Sequence, residues 1–475
     1  MFDNIIQQGA AAQLGEDIIS GRLAPSMLFF GPPASGKGST ALEFARVLSC
    51  ESLVNRPRQA GTRAVKPKDL APWTCPCPSC IRHRALLHGD LAILGPRPFA
   101  AEIAASHAAY QREPSVPATG TLFIRSLRKL MARFAPAIWE YENRAGKLNP
   151  LAVLESLEND IAEFEMLNNS GSGAAENSGA LEKLCDSLLK NAFRLSDEGM
   201  GDTIPIAQIR RAAYWSRLAP SGQRKTLLVE NADRMRDEAK NSLLKLLEEP
   251  PETVSIILTV QRRELILPTI LSRLRPYRFL RRAAEEEREI IRRVFRGLAA
   301  ARTDGPGMET GESGGQAGLI SAYLDSFLPQ STGKLYPLAA FFVASTARAS
   351  VLLLKKKGRA TIPAGLAALG SYSGPIAEAA GYGRAAAAKE VFAALLPESG
   401  NFEGGSFSRF IANILEIVSQ SQRRSQDNPR WIAYNELWRR HAARAEAAAG
   451  VWNQNPALAL EALFCRLKTE MAELG

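Results

Sequence analysis

The stretch GPPASGKGST, Gly31–Thr40, decides how the rest of the chain is read. Before it stands SMLFF, Ser26–Phe30, a short apolar run that reads as a buried strand. After it, STALEFARVLSC carries Leu42, Ala45 and Leu48 at helical spacing. Strand, glycine loop and helix in that order make a phosphate-binding loop credible. Backbone N–H groups between Gly31 and Gly38 would cradle phosphate oxygens, and Lys37 would reach the β- and γ-phosphates. The helix N-terminus adds partial positive charge. The candidate nucleotide-binding residues are Gly31, Pro32, Pro33, Ala34, Ser35, Gly36, Lys37, Gly38 and Ser39. The bland alternative is a glycine-rich turn with a chance lysine.

One position departs from the pattern G-x-x-x-x-G-K-[ST]. It asks for a hydroxyl after the lysine, and here Gly38 stands there. That hydroxyl usually ligates Mg²⁺, so Gly38 weakens the metal argument and leaves the nucleotide argument standing. Ser39 and Thr40 follow but point elsewhere in a regular loop.

A second candidate site is LLVENADRM, Leu227–Met235. A P-loop ATPase ends this strand with an acid for the Mg²⁺ shell. Here the pair is Glu230-Asn231. Glu230 is able to serve a metal, whereas Asn231 orients a water without accepting its proton. With Gly38, the pair favours a site that does not hydrolyse.

Four of six cysteines, Cys50, Cys75, Cys77 and Cys80, lie in one region and suggest a metal site rather than a disulfide scaffold. Four thiolates make a closed tetrahedral zinc site, which is structural. His83 and His88 nearby are spare candidate ligands but read rather as surface residues, and Cys185 and Cys465 read as buried apolar fillers of helices.

Around these motifs the chain organises itself. DLAILG from Asp90, KTLLV from Lys225 and VSIILTV from Val254 read as core strands. IPIAQIRRAAYW and DEAKNSLLKLLEE read as helices, the second stopped by Pro250 and Pro251. Residues 100–203 do not alternate strands and helices. LAVLESLENDIAEF places Leu151, Leu154, Leu157, Ile161 and Phe164 on one face, and LEKLCDSLLKNAF repeats this with Leu181, Leu184 and Leu188. NNSGSGAAENSG between them reads as a flexible link, so the segment is expected to be a helical insertion, a hairpin. TDGPGMETGESGGQAG, 303–318, is a linker by composition, and alanine- and leucine-rich helices follow it.

The 475 residues, 46% hydrophobic and 23% charged, fit an ordinary globular protein of several domains. The run Leu338–Leu354 is interrupted by Ser345, Thr346, Arg348 and Ser350, so no transmembrane helix is expected. The N-terminus MFDNIIQQGA lacks a basic start and an apolar run, which leads us to expect a cytoplasmic protein with no membrane partner. A net charge of +10 hints at a polyanionic partner. Arg210, Arg211, Arg217, Arg224 and Lys225 are the candidate contacts to DNA phosphates, against a solvated helix face as the alternative.

SGRLAPSMLFFGPPASGK, LLVENADRM, NSLLKLLEEPPE and LILPTILSRLRPYRF together resemble the AAA+ subunits of the bacterial DNA polymerase III clamp loader. The likeness covers residues 2–98 and 204–280, and NQNPALALEALFCRL from Asn453 resembles the last helix of that family's collar domain. The resemblance implies an α/β fold: a P-loop AAA+ domain over 1–280, its parallel sheet flanked by helices. That domain would contain a zinc module at 50–80 and the helical insertion at 100–203. A lid and linker, 281–318, and an all-α collar or oligomerisation domain, 319–475, would follow. It implies other clamp-loader subunits, the sliding clamp and primed DNA as partners, structural zinc, and ATP with Mg as possible ligands.

The family divides into ATP-hydrolysing motor subunits and delta-prime, whose site is commonly degraded. Gly38 and Asn231 point to delta-prime, with the tau/gamma-like motor as the alternative. The family's serine-arginine-cysteine motif stands here as Ser272-Arg273-Leu274. By resemblance Arg273 is the arginine finger that reaches a neighbouring subunit's ATP. The family's sensor arginine after a Gly-Ser pair has no match. The cysteine spacing C-x-C-x-x-C is one residue tighter than the usual C-x-x-C-x-x-C. The loop alone also resembles the G-K-G-[ST] of nucleoside monophosphate kinases, so a P-loop nucleotide kinase is the alternative of another class.

Overall fold

The computed structural model describes residues 1–54, 70–139, 149–169, 178–199, 203–297, 319–327, 335–358, 366, 370, 406–424, 429–450 and 456–474. The expected linker 303–318 and most of the link inside the insertion lie outside these residues. Two compact units are separable, Met1–Phe327 and Leu328–Gly475.

The first unit is built on five parallel strands: β1 (Ser26–Phe30), β2 (Leu91–Leu94), β3 (Lys225–Val229), β4 (Val254–Val260) and β5 (Arg275–Arg278). Their order across the sheet is β2-β3-β4-β1-β5, with Leu28 opposite Leu258 and Ile257 opposite Leu228. A parallel sheet with both faces covered favours near-continuous apolar runs, and β1, β3 and β4 come close to them. Successive side chains alternate between faces. Leu28, Leu227, Val229, Ile256 and Leu258 pack with Trp215, Leu243 and Leu246 of helices α9 (Ile206–Arg217) and α10 (Asp237–Glu248). Phe29, Leu228 and Ile257 pack on the other side with Leu14 of α1 (Gly9–Ile19) and Phe44 and Val47 of α2 (Lys37–Leu48). This is the α/β arrangement that the sequence led us to expect.

β5 is the strand that sequence reading passed over. RPYR is polar, and Pro276 suits only an edge strand. Tyr277 alone points fully inward; it meets Phe29 edge-to-face at 5.7 Å and donates to buried Asp17 at 2.7 Å.

The insertion is helical, but it is more than a hairpin. Its helices α5 (Ala100–Arg112), α6 (Pro117–Met131), α7 (Pro150–Asn169) and α8 (Ser178–Gly199) enclose their own core of Phe99, Ile103, Phe123, Leu127, Phe164 and Leu188. Leu154, Leu157, Ile161 and Phe164 are buried as expected, whereas Leu151 is exposed. A 3₁₀ turn, Ala132–Phe134, brings the end of α6 back to the sheet, where Arg133 donates to the carbonyl of Leu94 at 3.1 Å. Arg112 of α5 donates to the carbonyl of Phe295 at 2.8 Å, fixing the helix Ala284–Phe295 to the insertion.

The second unit contains four long described helices, Leu335–Lys356, Ser406–Arg424, Pro429–Gly450 and Pro456–Leu474. They pack around Phe342, Phe410, Ile414, Tyr434, Trp438, Leu463 and Leu467. One sequence expectation, the burial of Cys465, needs correction here. Leu338–Lys356 is long and apolar enough to cross a membrane by length and composition, despite its polar interruptions. Thr346 and Ser350 return their hydroxyls to carbonyls one turn back, at 2.7 and 2.9 Å, so they cost the helix little. Leu338, Phe342, Val343, Ala347 and Leu354 of this helix face the core. Cys465 is exposed rather than a buried filler, while Cys185 is buried.

Candidate phosphate-loop site and cysteine cluster

The loop after β1 is shaped by two close approaches. At Gly31, with φ +153°, an added Cβ would lie 2.2 Å from the carbonyl oxygen of Phe279, just past β5. At Gly36, with φ +92°, it would lie 2.7 Å from the Arg282 guanidinium. Only glycine fits either position. Lys37 opens α2 and folds back over the loop, its Nζ donating to the carbonyls of Gly31 at 2.7 Å and Pro32 at 2.6 Å and to Ser35 Oγ at 3.3 Å. Arg282 donates to the Ala34 carbonyl at 2.9 Å. Burial pulls the Lys37 ammonium down to about 8, against the opposing pull of Glu230 and Asp233. Ser39 is exposed, and Thr40 is fully buried beneath the helix.

Glu230 follows β3, and its backbone N–H donates to Leu94 at 2.8 Å. Its side chain is 8% exposed and already ion-paired, in contact with Arg133 and 3.7 Å from Arg97. Burial works against ionisation here, but the guanidiniums of Arg133 and then Arg97 hold the carboxyl below its usual range. The same carboxylate explains position 38. A Cβ on Gly38 would stand 2.4 Å from Glu230 Oε1. Asn231 takes a left-handed backbone, φ 49°, and its amide donates to the Pro96 carbonyl at 2.7 Å.

The four expected cysteines come together. Their sulfurs all lie within 4.8 Å of one another, and those of Cys50 and Cys75 are 3.7 Å apart. A tetrahedral zinc with Zn–S bonds of about 2.3 Å needs an S–S edge of ~3.8 Å, so the donor set and spacing fit the metal. The tighter C-x-C spacing is accommodated because Cys77 caps the helix α4 (Pro78–Arg84) that carries Cys80. The Cys50 thiol is pulled down to about 5, chiefly by its hydrogen bond with Cys80.

Sequence reading missed what surrounds the cluster. Arg46 of α2, 1% exposed, donates to Cys80 Sγ at 3.0 Å and to both oxygens of Glu43 at 2.8 and 2.6 Å. Its third partner is the Ala71 carbonyl at 2.6 Å. The Trp73 ring is approached by Arg46, Arg84 and Arg125 at 5.5–6.0 Å. The only local signal was the Glu43–Arg46 spacing of one helical turn. His83 and His88 are not surface residues. Both are buried, and their rings stack at 4.0 Å.

Arg273 lies just before β5. It donates to the Thr269 carbonyl at 2.6 Å and pairs with Glu248 of α10 at 2.7 Å, both side chains partly exposed. Of the basic residues read as DNA contacts, Arg210 and Arg217 are exposed on α9. Lys225 is not available for that role. It is 3% exposed inside β3, with its ammonium 4.5 Å above the Trp215 ring and donating to the Trp215 carbonyl at 2.7 Å. Arg224 is tied to Ser255 Oγ at 3.0 Å.

A parallel α/β sheet with a glycine loop after its first strand is consistent with an AAA+-like P-loop domain. Residues 160–282 match a family model described as DNA polymerase III, delta subunit, and this similarity supports a clamp-loader-type subunit. The matched span opens inside α7, so it includes part of the insertion, and it contains Glu230, Asn231 and Arg273. Among solved structures, a DNA polymerase III gamma subunit-related protein from Thermotoga maritima is 20% identical, covering 57% of this chain and 81% of its own, with a TM-score of 0.27. No curated protein matches.

Proposed function

We propose that the chain is a delta-prime-like subunit of a DNA polymerase III clamp loader, with little or no ATP turnover of its own. The observation that carries the reading is the ion pairing of Glu230. The acid that would serve a metal is already neutralised by Arg133 and Arg97. Gly38 offers no hydroxyl, and Asn231 no base. The match over 160–282 supports the clamp-loader setting.

In this reading residues 1–280 form the AAA+ domain, 281–318 the lid and linker, and 319–475 the collar. Cys50, Cys75, Cys77 and Cys80 hold a structural zinc. Arg273 leaves Glu248 to stabilise charge at the γ-phosphate of a neighbouring subunit's ATP. The partners are the other clamp-loader subunits, the sliding clamp and primed DNA, in the cytoplasm.

The test pairs two measurements: ATP turnover by the purified chain, with and without primed DNA, and clamp loading by the complex reconstituted with the other subunits. We expect no turnover by the chain alone and loading that requires it. Turnover lost in Lys37→Ala would instead make the chain a motor subunit.

A further inference from the structure

Two departures from a metal-binding phosphate loop meet at one carboxylate. Gly38 lies against Glu230 Oε1, and Glu230 is turned towards two guanidiniums. Both guanidiniums belong to the chain that follows β2. Arg97 comes from the segment leading into α5, and Arg133 from the 3₁₀ turn that closes α6.

Neither arginine is a passing surface contact. Arg133 is 4% exposed, is bonded to the Leu94 carbonyl at 3.1 Å and lies 5.4 Å above the Phe99 ring. Arg97 sits 5.7 Å over the same ring and also pairs with Glu102 of α5. Glu102 in turn takes Lys129 of α6. The insertion therefore brings a preassembled set of charges to the end of β3. A buried acid hydrogen-bonded to one guanidinium and 3.7 Å from a second has its charge balanced without a metal. A hydrated divalent cation needs a carboxylate free to replace one of its waters. To bind Glu230 it would have to compete with both guanidiniums for the carboxylate.

We propose that the insertion, through Arg133 and Arg97, stands in for a divalent cation at Glu230 and keeps the loop site from recruiting one. The proposal rests on Gly31–Ser39 being a phosphate loop. It requires no partner subunit, so its failure is distinct from failure to assemble a clamp loader.

The test is Mn²⁺ binding to the full-length, zinc-loaded chain, followed by electron paramagnetic resonance with and without ADP. Wild type and Glu230→Gln are expected to bind the same number of Mn²⁺ ions. The double variant Arg97→Met, Arg133→Met is expected to gain one site, and adding Glu230→Gln to remove it. A Mn²⁺ bound by wild type and lost in Glu230→Gln, in either nucleotide condition, overturns the proposal. So does a folded double variant that gains no site. Should the double variant not fold, the comparison of wild type with Glu230→Gln decides alone.

Discussion

Arg46 joins α2, the helix after the glycine loop, to the cysteine cluster: its guanidinium donates to Cys80 Sγ at 3.0 Å while it grips the carboxylate of Glu43, one turn earlier on α2. A tetrathiolate zinc site carries excess negative charge, and a donor to one sulfur stabilises it. Outer partners of this kind are worth about 10- to 100-fold in metal affinity. Removing Arg46 alone would strand the buried Glu43, so the informative variant is Glu43→Leu with Arg46→Met. We expect it to fold and to hold Co²⁺ about 10-fold or more weakly, read from the thiolate charge-transfer band. Unchanged affinity would reduce the Arg46–Cys80 contact to packing.

Lys37 offers a pH-dependent signature. Its folded pKa of about 8 lies below the ordinary 10.5. Between these values the unfolded chain binds the extra proton, so this group's contribution to stability rises as pH increases through 8 towards 10.5. Below pH 8 both states are charged and the folded one bears the cost of burial. In ¹³Cε-lysine NMR, one resonance absent from Lys37→Met should titrate near 8. Glu230→Gln should move it lower, since the Glu230 charge raises it. A Lys37 midpoint near 10.5 would contradict the buried, carbonyl-bound geometry.

At Gly38 two effects of opposite sign compete. Alanine in a helix is favoured over glycine by about 1 kcal/mol. Here, however, the new Cβ would press on a carboxylate held by Arg133, and such overpacking costs about 1–3 kcal/mol. Gly38→Ala should therefore lower or leave unchanged the unfolding midpoint of wild type, and raise it in a Glu230→Ala background. Stabilisation by Gly38→Ala in both backgrounds would show that the contact does not constrain position 38.

Arg273 separates stability from function. Its pair with Glu248 is partly exposed and contributes roughly 0–1 kcal/mol. Arg273→Ala should leave the melting temperature of the isolated chain nearly unchanged. In the reconstituted complex, loss of an arginine finger should reduce ATP turnover at the one neighbouring site it serves by about 10³-fold or more. A complex whose turnover survives the substitution would remove Arg273 from the neighbouring site.

The sheet was legible wherever a strand is buried on both faces, because such strands are largely apolar runs, as in SMLFF and VSIILTV. β5 escaped because an edge strand with one inward tyrosine has no such run. The cysteine cluster was legible as a spacing pattern, whereas Arg46 was not, since its contact with Cys80 spans 34 positions. The pairing of Glu230 with Arg133 spans 97 positions and leaves no local trace at all. Lys225 misled for a related reason. Composition records its charge but not the Trp215 ring and carbonyl that receive it inside the strand.

The contact of Gly38 with Glu230 and the grip of Arg133 on that carboxylate also bear on how the chain can change. A serine restored at 38 meets an occupied space while Arg133 keeps Glu230 in place. Loss of Arg133 first leaves a buried acid without its closest counter-charge. Neither change is thus expected to add stability on its own, whichever residue takes it. The three positions form one interlock, and the insertion that supplies Arg133 is its bolt.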